Sequence, residues 1–357
     1  MLYYYMFRSI ALSKAFSPCF SAFPALAALT FALSAASSDP AHAQSAGVEV
    51  RAWRNTEAAR AADQRATQER AHGHSHVQGH AQGHAHGGAE HGVETENVFG
   101  FTLGSDTEHE GASGVAVESV ARFGKRGGAY AAVGQKLEFA YGVTDSLSMS
   151  AALLGDYHRV RPRGDDERLE TVAPHYLFNG FGGEVRYRFL DRRNNLFGLT
   201  LHIEPAVAFS DEASGLRGRK YGAESKLIFD RELVPERLFL AFNLLHEIER
   251  MKERGAPEIE RGVKAGASLA LAYQVLPNVF IGAEARYLRA YEGYRFNAYL
   301  GDAWHAGPML SARINEKYWF SLAYGGLVGG REKGAEARLD LANFERHQVR
   351  LKFGYEF

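Results

Sequence analysis

The C-terminal stretch HQVRLKFGYEF (347–357) contains the pattern that decides the fold. Its apolar face consists of Val349, Leu351, Phe353, Tyr355 and Phe357. Its opposite face consists of Gln348, Arg350, Lys352 and Glu356. Apolar residues at every second position predict a β-strand with one face against an apolar environment. The chain also ends on phenylalanine, which is typical of bacterial outer-membrane barrels.

The same alternation recurs upstream in KYGAESKLIF (220–229), GVKAGASLALAY (262–273) and GGEVRYRF (182–189). Strands of soluble sheets usually have about five or six residues, whereas transmembrane strands have about ten and a polar inner face. The pattern therefore predicts an all-β protein: a transmembrane antiparallel β-barrel of about twelve strands, from about Gly114 to Phe357.

Short and long connections alternate between these segments. Short ones fall at 143–146, 191–195, 234–237, 276–278 and 315–317. Long polar ones fall at about 160–173, 210–219, 250–261, 290–303 and 329–344. Outer-membrane barrels have short periplasmic turns and longer outer loops. An even strand count then leaves both ends of the barrel on the periplasmic side.

Four stretches carry a family resemblance: NVFGFTLGSDT (97–107), LEFAYGVTDSLS (137–148), GFGGEVRYRFL (180–190) and VRLKFGYEF (349–357). Over residues 97–357 the chain resembles a family of exported proteobacterial proteins predicted to be outer-membrane barrels. The resemblance implies a transporter-type barrel, with outer-membrane lipid and the barrel-assembly machinery as partners. It implies no catalytic or ligand residues. We expect FGFTLGSD (99–106) to lead into the first strand or to lie along the lumen wall.

Residues 1–43 have the three parts of a signal peptide. Arg8 and Lys14 supply positive charge, FPALAALTFALSAA (23–36) is apolar, and Ala41 and Ala43 predict cleavage after Ala43. The alternative is a membrane anchor, but the apolar run is short for a span of about 20 residues. The single cysteine lies in this segment, so we expect no disulfide in the mature protein.

Residues 44–96 form a predicted periplasmic low-complexity segment, disordered or partly helical. An alanine-rich part (44–71) could form one marginal helix. It is followed by HGHSHVQGHAQGHAHGGAEH (72–91), in which seven of twenty residues are histidine. Imidazole is a ligand for Zn²⁺, Ni²⁺ and Cu²⁺. The predicted metal ligands are His72, His74, His76, His80, His84, His86 and His91. The alternative is a solvated linker that chelates incidentally; no cofactor is required in either case.

Charged residues on the second face of the strands are predicted to line the lumen. They are Lys136, Glu138, Glu184, Arg186, Arg188, Glu204, Lys220, Glu224, Lys226, Lys264, Glu284, Arg286, Arg350 and Lys352. Mixed signs fit either a selective wet pore or an ion-pair network that fills a narrow barrel. Trp304 and Trp319 are expected to belong to the aromatic girdles at the membrane interfaces.

These features predict a channel or transporter for small solutes or ions, with divalent metal bound by the histidine tract. One alternative is a structural or adhesin-like barrel. Another is a barrel-embedded hydrolase built from His158, His175, His202 or His305 with nearby serines. We expect no enzyme, because neither a G-x-S-x-G motif nor a phosphate-binding loop occurs. A formal net charge of −1 gives no footprint for nucleic acid.

Overall fold

The computed structural model describes residues 93–162 and 172–357, which form twelve strands and no helix. The strands are β1 (Ser113–Phe123), β2 (Gly128–Thr144), β3 (Leu147–Pro162), β4 (Val172–Leu190), β5 (Gly198–Ser210), β6 (Arg217–Val234), β7 (Leu238–Glu253), β8 (Glu260–Leu276), β9 (Val279–Glu292), β10 (Tyr299–Arg313), β11 (Tyr318–Glu332) and β12 (His347–Glu356). Within these two ranges, no helix has the length and hydropathy to span a membrane. The predicted signal peptide and histidine tract lie outside the described residues.

Every strand pairs antiparallel with the next one, and β1 pairs with β12 to close the barrel. The closing register places Val115 opposite Tyr355 and Ala121 opposite Val349. The C-terminal stretch is therefore the strand that joins the two ends of the sheet. Closure leaves no unpaired strand edge. The predicted all-β, twelve-stranded antiparallel barrel is confirmed.

Connections of two to seven residues (145–146, 191–197, 235–237, 277–278 and 314–317) gather at one end of the barrel, the short-turn end. Ser113 and Glu356 lie at that end as well. The opposite end, the long-loop end, carries 124–127, 211–216, 254–259, 293–298 and 333–346. The predicted positions of these connections are confirmed to within a few residues, and most of the predicted connection at 160–173 lies outside the described residues.

The two faces of the wall differ in chemistry. Phe139, Leu153, Phe181 and Leu269 are large apolar side chains that project outward and are 47–54% exposed. Residues one position away, such as Glu138 and Ser268, are buried inside the barrel. This alternation confirms the predicted charged lumen face. An apolar belt around a closed barrel is unfavourable in water and suits a hydrocarbon environment.

The two tryptophans have different positions. Trp304 is half-exposed on the outer face beside Tyr287, as expected for an interfacial side chain. The expectation for Trp319 is wrong, because its side chain is buried inside the barrel. It lies opposite Gly354 of β12, where any Cβ would overlap the indole ring. Glycine at 354 therefore makes room for an inward tryptophan, and Lys352 Nζ lies 5.2 Å from its ring centroid.

Candidate functional site: a plugged, charged lumen

Residues 93–112, which we call the plug, lie inside the barrel at its short-turn end. Val98 and Phe99 of the plug are buried in one cluster with Phe239, Phe280 and Met309 of three different strands. Of the two expectations for 99–106, the position inside the lumen is therefore the correct one. Burial of these apolar side chains holds the plug non-covalently, at roughly 1.5–3 kcal/mol for each fully buried large side chain.

Polar side chains of the wall bind the main chain of the plug. The Glu284 carboxylate accepts hydrogen bonds from the N–H groups of Phe101 and Thr102, each at 3.0 Å. Gly100 lies so close to this carboxylate that a Cβ there would overlap both it and the Ala323 methyl group. Main-chain hydrogen bonds join the plug to β2 at Gly111 and Ala112. At Phe101 and Thr102 the wall carboxylate instead satisfies main-chain groups that burial would otherwise leave unpaired.

Two buried aspartates fix the end of the plug. Asp106 of the plug pairs with Arg192 and lies 3.2 Å from Arg188 Nη1. Asp230 of β6 accepts the Ser105 N–H at 3.0 Å. Burial acts to raise the pKa of Asp106, but the Arg192 charge and hydrogen bond outweigh it and lower that pKa below its usual range. Asp106 is therefore an anion at neutral pH and a fixed partner for the arginines.

At the long-loop end, two connections bend into the barrel. Phe344 and Glu345, from 333–346, are buried, and His305 Nε2 lies 3.0 Å from the Glu345 carbonyl oxygen. Glu212, from 211–216, pairs with Arg122 Nη2 at 2.6 Å. The lumen is therefore narrowed at this end by loops and at the other end by the plug.

Between the plug and the inward-bent loops lies a region of the lumen that we call the charged chamber. Its inner wall is formed by Glu118, Lys136, Glu138, Glu184, His202, Glu204, Glu224, Lys226, Glu247, Lys264 and Arg350. Three glutamates of neighbouring strands are in direct register, with Glu204 opposite Glu224 and Glu224 opposite Glu247. Like charges placed directly opposite destabilise a sheet. Lysines offset this repulsion: Lys264 Nζ, for example, is 3.1 Å from Glu247 Oε1.

Two adjoining clefts run between the plug and the wall, and both are lined by Glu96, Asn97, Glu108 and Glu356. One cleft extends to Arg313 and His109 at the short-turn end. The other extends to Glu138 and Glu184 in the charged chamber. The four shared residues therefore place the two clefts side by side, one toward the short-turn mouth and one toward the chamber.

Glu96 has an unusual environment in these clefts. Burial raises its pKa to about 8, and the neighbouring Glu108 adds to the rise, while Arg186 and Lys352 oppose it. The pKa of Glu108 is also raised, by burial first and then by Glu356 and Glu94. The clefts therefore contain two carboxyl groups that ionise less readily than a glutamate in water.

The predicted metal ligands of the histidine tract, His72 to His91, all lie outside the described residues. Among the described histidines, His158 Nε2 lies 2.9 Å from the Glu212 carbonyl oxygen. In the described ranges no serine hydroxyl is hydrogen-bonded to a histidine ring, which is the contact a hydrolytic triad requires. The side chain of His175 is not described.

His202 was considered above as part of a hydrolytic site; in the structure its ring faces two carboxylates of the inner wall. Its Nε2 lies 3.1 Å from Glu184 Oε2 and 3.8 Å from Glu204 Oε2. These three side chains form the one group among the described residues whose donor atoms are close enough to share a metal ion. The spacing of His202 and Glu204 indicated a common inner face, but the approach of Glu184 depends on strand register.

Fold and lumen together define a plugged twelve-stranded β-barrel. The chain belongs to the family of unknown function DUF6662, whose model matches residues 91–357. No curated protein matches it in sequence.

Several solved outer-membrane structures are similar. An outer membrane channel (COG4313) from Pseudomonas putida F1 has a TM-score of 0.46 and 12% identity, over 71% of this chain and 98% of that one. The beta domain of the Bordetella autotransporter BrkA has a TM-score of 0.47 and 12% identity, over 69% and 100%. The NanC porin has a TM-score of 0.39 and 12% identity, over 68% and 98%.

Proposed function

We propose that this protein is an outer-membrane channel that passes small cations through a lumen restricted by the plug. The observation that carries the proposal is the pair of adjacent polar clefts beside the plug, which share Glu96, Asn97, Glu108 and Glu356 and extend toward the short-turn mouth and toward the charged chamber.

The outer-membrane location is supported by the barrel itself. The outward apolar side chains form a belt, and strands of 10 to 19 residues are long enough to cross a bilayer when tilted. Short turns and both barrel ends lie on one side, which is the periplasmic side in such barrels. The plug and the residues that precede it would then face the periplasm.

Preference for cations follows from the lining of the clefts. Glu94, Glu96, Glu108 and Glu356 line the cleft at the short-turn mouth, where His109 and Arg313 are the only basic residues that line it. Because the pKa of Glu96 is raised to about 8 and that of Glu108 is also raised, this cleft carries its full negative charge only in alkaline solution. Carboxylates that line a pore favour cations. Ion pairs with lysine and arginine elsewhere in the chamber moderate the field, so we expect moderate selectivity.

The histidine tract ends two residues before the plug begins, at Val93. We propose that His72, His74, His76, His80, His84, His86 and His91 bind Zn²⁺, Ni²⁺ or Cu²⁺ on the periplasmic side. A flexible polyhistidine segment offers many two- and three-ligand sets at an entropic cost for ordering the chain. It would raise the local concentration of metal at the mouth.

Planar-bilayer recording of the refolded protein tests the channel. At pH 9, where Glu96 is ionised, we expect small cation-selective conductance steps, and a shift of reversal potential toward non-selectivity in Glu96→Gln/Glu108→Gln. Glu316→Gln, in the turn between β10 and β11, is a control that should leave selectivity unchanged. A barrel that is folded, inserted and electrically silent would contradict the proposal and favour a structural or adhesin-like role.

A further inference from the structure

The charged chamber contains a set of donor atoms that suits a metal ion. His202 and Glu204 lie two residues apart on β5 and share its inner face, and Glu184 projects from the adjacent β4. The register that pairs Arg186 with His202 brings Glu184 to the level of this histidine and Glu204. Antiparallel strands hold the three side chains, so the set is built on the rigid wall of the barrel.

The distances between donor atoms fit coordination. Zinc–nitrogen and zinc–oxygen bonds of about 2.0–2.2 Å place the ligand atoms of a tetrahedral site roughly 3.3–3.6 Å apart. His202 Nε2 is 3.1 Å from Glu184 Oε2 and 3.8 Å from Glu204 Oε2, and all three donor atoms lie within 4.8 Å of one another. The two distances from His202 are already close to this range, and the two carboxylate oxygens would need to approach each other by at most about 1.5 Å.

His202 itself supplies a second observation. Its side chain is 1% exposed, and its Nδ1 is buried with no hydrogen-bond partner among the described residues. A buried imidazole that lacks a partner costs free energy. Its Nε2, which does not share the orphaned position of Nδ1, faces the two carboxylates and is the atom that would bind a metal ion.

The surrounding charge favours a divalent cation. Besides Glu184 and Glu204, the row of opposed glutamates continues to Glu224 and Glu247. Lys136 Nζ lies 3.0 Å from Glu204 Oε1 and 4.0 Å from Glu184 Oε2, so its ammonium group now serves as the counter-charge. A metal ion and Lys136 would compete for the same carboxylates, which makes binding reversible.

We infer that Glu184, His202 and Glu204 form a binding site for a divalent transition-metal ion of the Zn²⁺ class inside the barrel, separate from the histidine tract. A His/Glu₂ set leaves one coordination position open, which suits an exchanging ion. The site does not depend on the proposed channel, because a sealed barrel would still bind metal there.

The test uses the full mature chain with all seven tract histidines changed to glutamine, so that the tract contributes no metal binding. Calorimetric titration with Zn²⁺ is expected to show one ion per chain. His202→Gln should weaken this binding by at least about ten- to hundredfold, the loss that accompanies removal of even an outer-shell partner. His305→Gln, a matched change at another buried lumen histidine, should leave it unchanged. Heat-modifiable gel mobility shows that each variant is folded.

Lys136→Met gives a second, independent readout, because it keeps all three ligands and removes the competing ammonium group. Zn²⁺ affinity should rise by at least about tenfold. Co²⁺ titration of the same protein should give the visible bands of a four-coordinate ion, and these bands should vanish in Glu184→Gln. Absence of Zn²⁺ binding in the tract-substituted chain, or equal binding with and without His202, would overturn the inference. Metal binding with no conductance would leave it standing and contradict only the channel.

Discussion

Asn243 of β7 binds both main-chain groups of Leu103 in the plug. Its Oδ1 accepts the Leu103 N–H at 2.8 Å, and its Nδ2 donates to the Leu103 carbonyl oxygen at 2.9 Å. One side-chain amide thus does what a neighbouring strand would do in a sheet. The plug therefore has regular hydrogen bonding at this point without being a strand, and a single wall residue supplies both hydrogen bonds of Leu103.

Asn243→Leu should loosen the plug. The change keeps the number and branching of the side-chain heavy atoms but leaves the buried N–H and C=O groups of Leu103 without partners, at a cost of about 1–3 kcal/mol for each group. We expect larger or longer openings in single-channel recordings. Ser268→Ala, at the position opposite Asn243 on β8, is the matched control and should behave like the parent. Unchanged conductance in the leucine variant would show that the plug does not limit flow.

Asp106→Asn should destabilise the folded barrel by about 3–5 kcal/mol, since it removes the nearest counter-charge of buried Arg192 and Arg188 and leaves Arg192 only Asp230, at 3.7 Å. The urea midpoint in detergent measures this. Asp191→Asn, which breaks the partly exposed pair with Arg193, should cost about 0–1 kcal/mol. Equal effects of the two changes would contradict the role of Asp106 as the buried anchor.

Asp106 should also make the stability of the folded barrel decrease in strong acid. The folded-state pKa of Asp106 lies below its unfolded value of about 3.9. Its contribution is therefore complete above that value and lost as pH falls through the folded-state pKa. Stability attributable to this group should be flat from about pH 5 to 8 and decrease in stronger acid. Asp106→Asn should flatten the acid limb of an unfolding-versus-pH curve.

The contribution of Glu96 to plug docking should have the opposite pH dependence, decreasing as pH rises. Its pKa in the docked plug is raised to about 8 by burial, with Glu108 and Glu184 adding to the rise and Arg186 and Lys352 opposing it. Docking is favoured below the unfolded value and loses this contribution as pH rises through about 8. Open probability should therefore increase between pH 6 and 9. Glu96→Gln should reduce that dependence, while Glu94→Gln, nearer the rim, should preserve it.

The outward belt predicts where charge is tolerated. Leu269→Arg places a cation in the middle of β8 on the apolar face and should cost about 2–4 kcal/mol in a bilayer. Leu196→Arg, in an exposed turn at the short-turn end, should cost little. Folding yield into lipid vesicles measures both. Comparable yields would argue against a membrane around this belt.

Removal of residues 72–91 tests the histidine tract. The parent chain should bind several Zn²⁺ ions that the shortened chain does not, and binding should weaken as pH falls through about 6.5, where imidazole is protonated. Calorimetry gives the stoichiometry, and growth in metal-poor and metal-excess media shows whether the tract matters to the cell. An unchanged stoichiometry would remove the ligand assignment. Clear binding with equal growth would leave the tract an incidental chelator.

The sequence by itself determined the barrel. Side chains in a strand alternate between two faces, so Val349, Leu351 and Phe353 against Arg350 and Lys352 already specify an apolar outside and a polar inside. The regular spacing of turn residues then predicted the number of strands and placed both ends of the barrel chain at the short-turn end. These are local properties, and each can be seen within about ten residues.

Only the tertiary structure decided what the lumen contains. Asn243 and Leu103 are 140 residues apart in the chain. A local sequence pattern therefore cannot indicate that this polar strand position binds the plug. Trp319 was misassigned for the same reason, since the space it fills is made by Gly354 on another strand. His202 and Glu184 meet because two strands adopt one register, and a shift of one residue would turn every side chain of a strand to the other face.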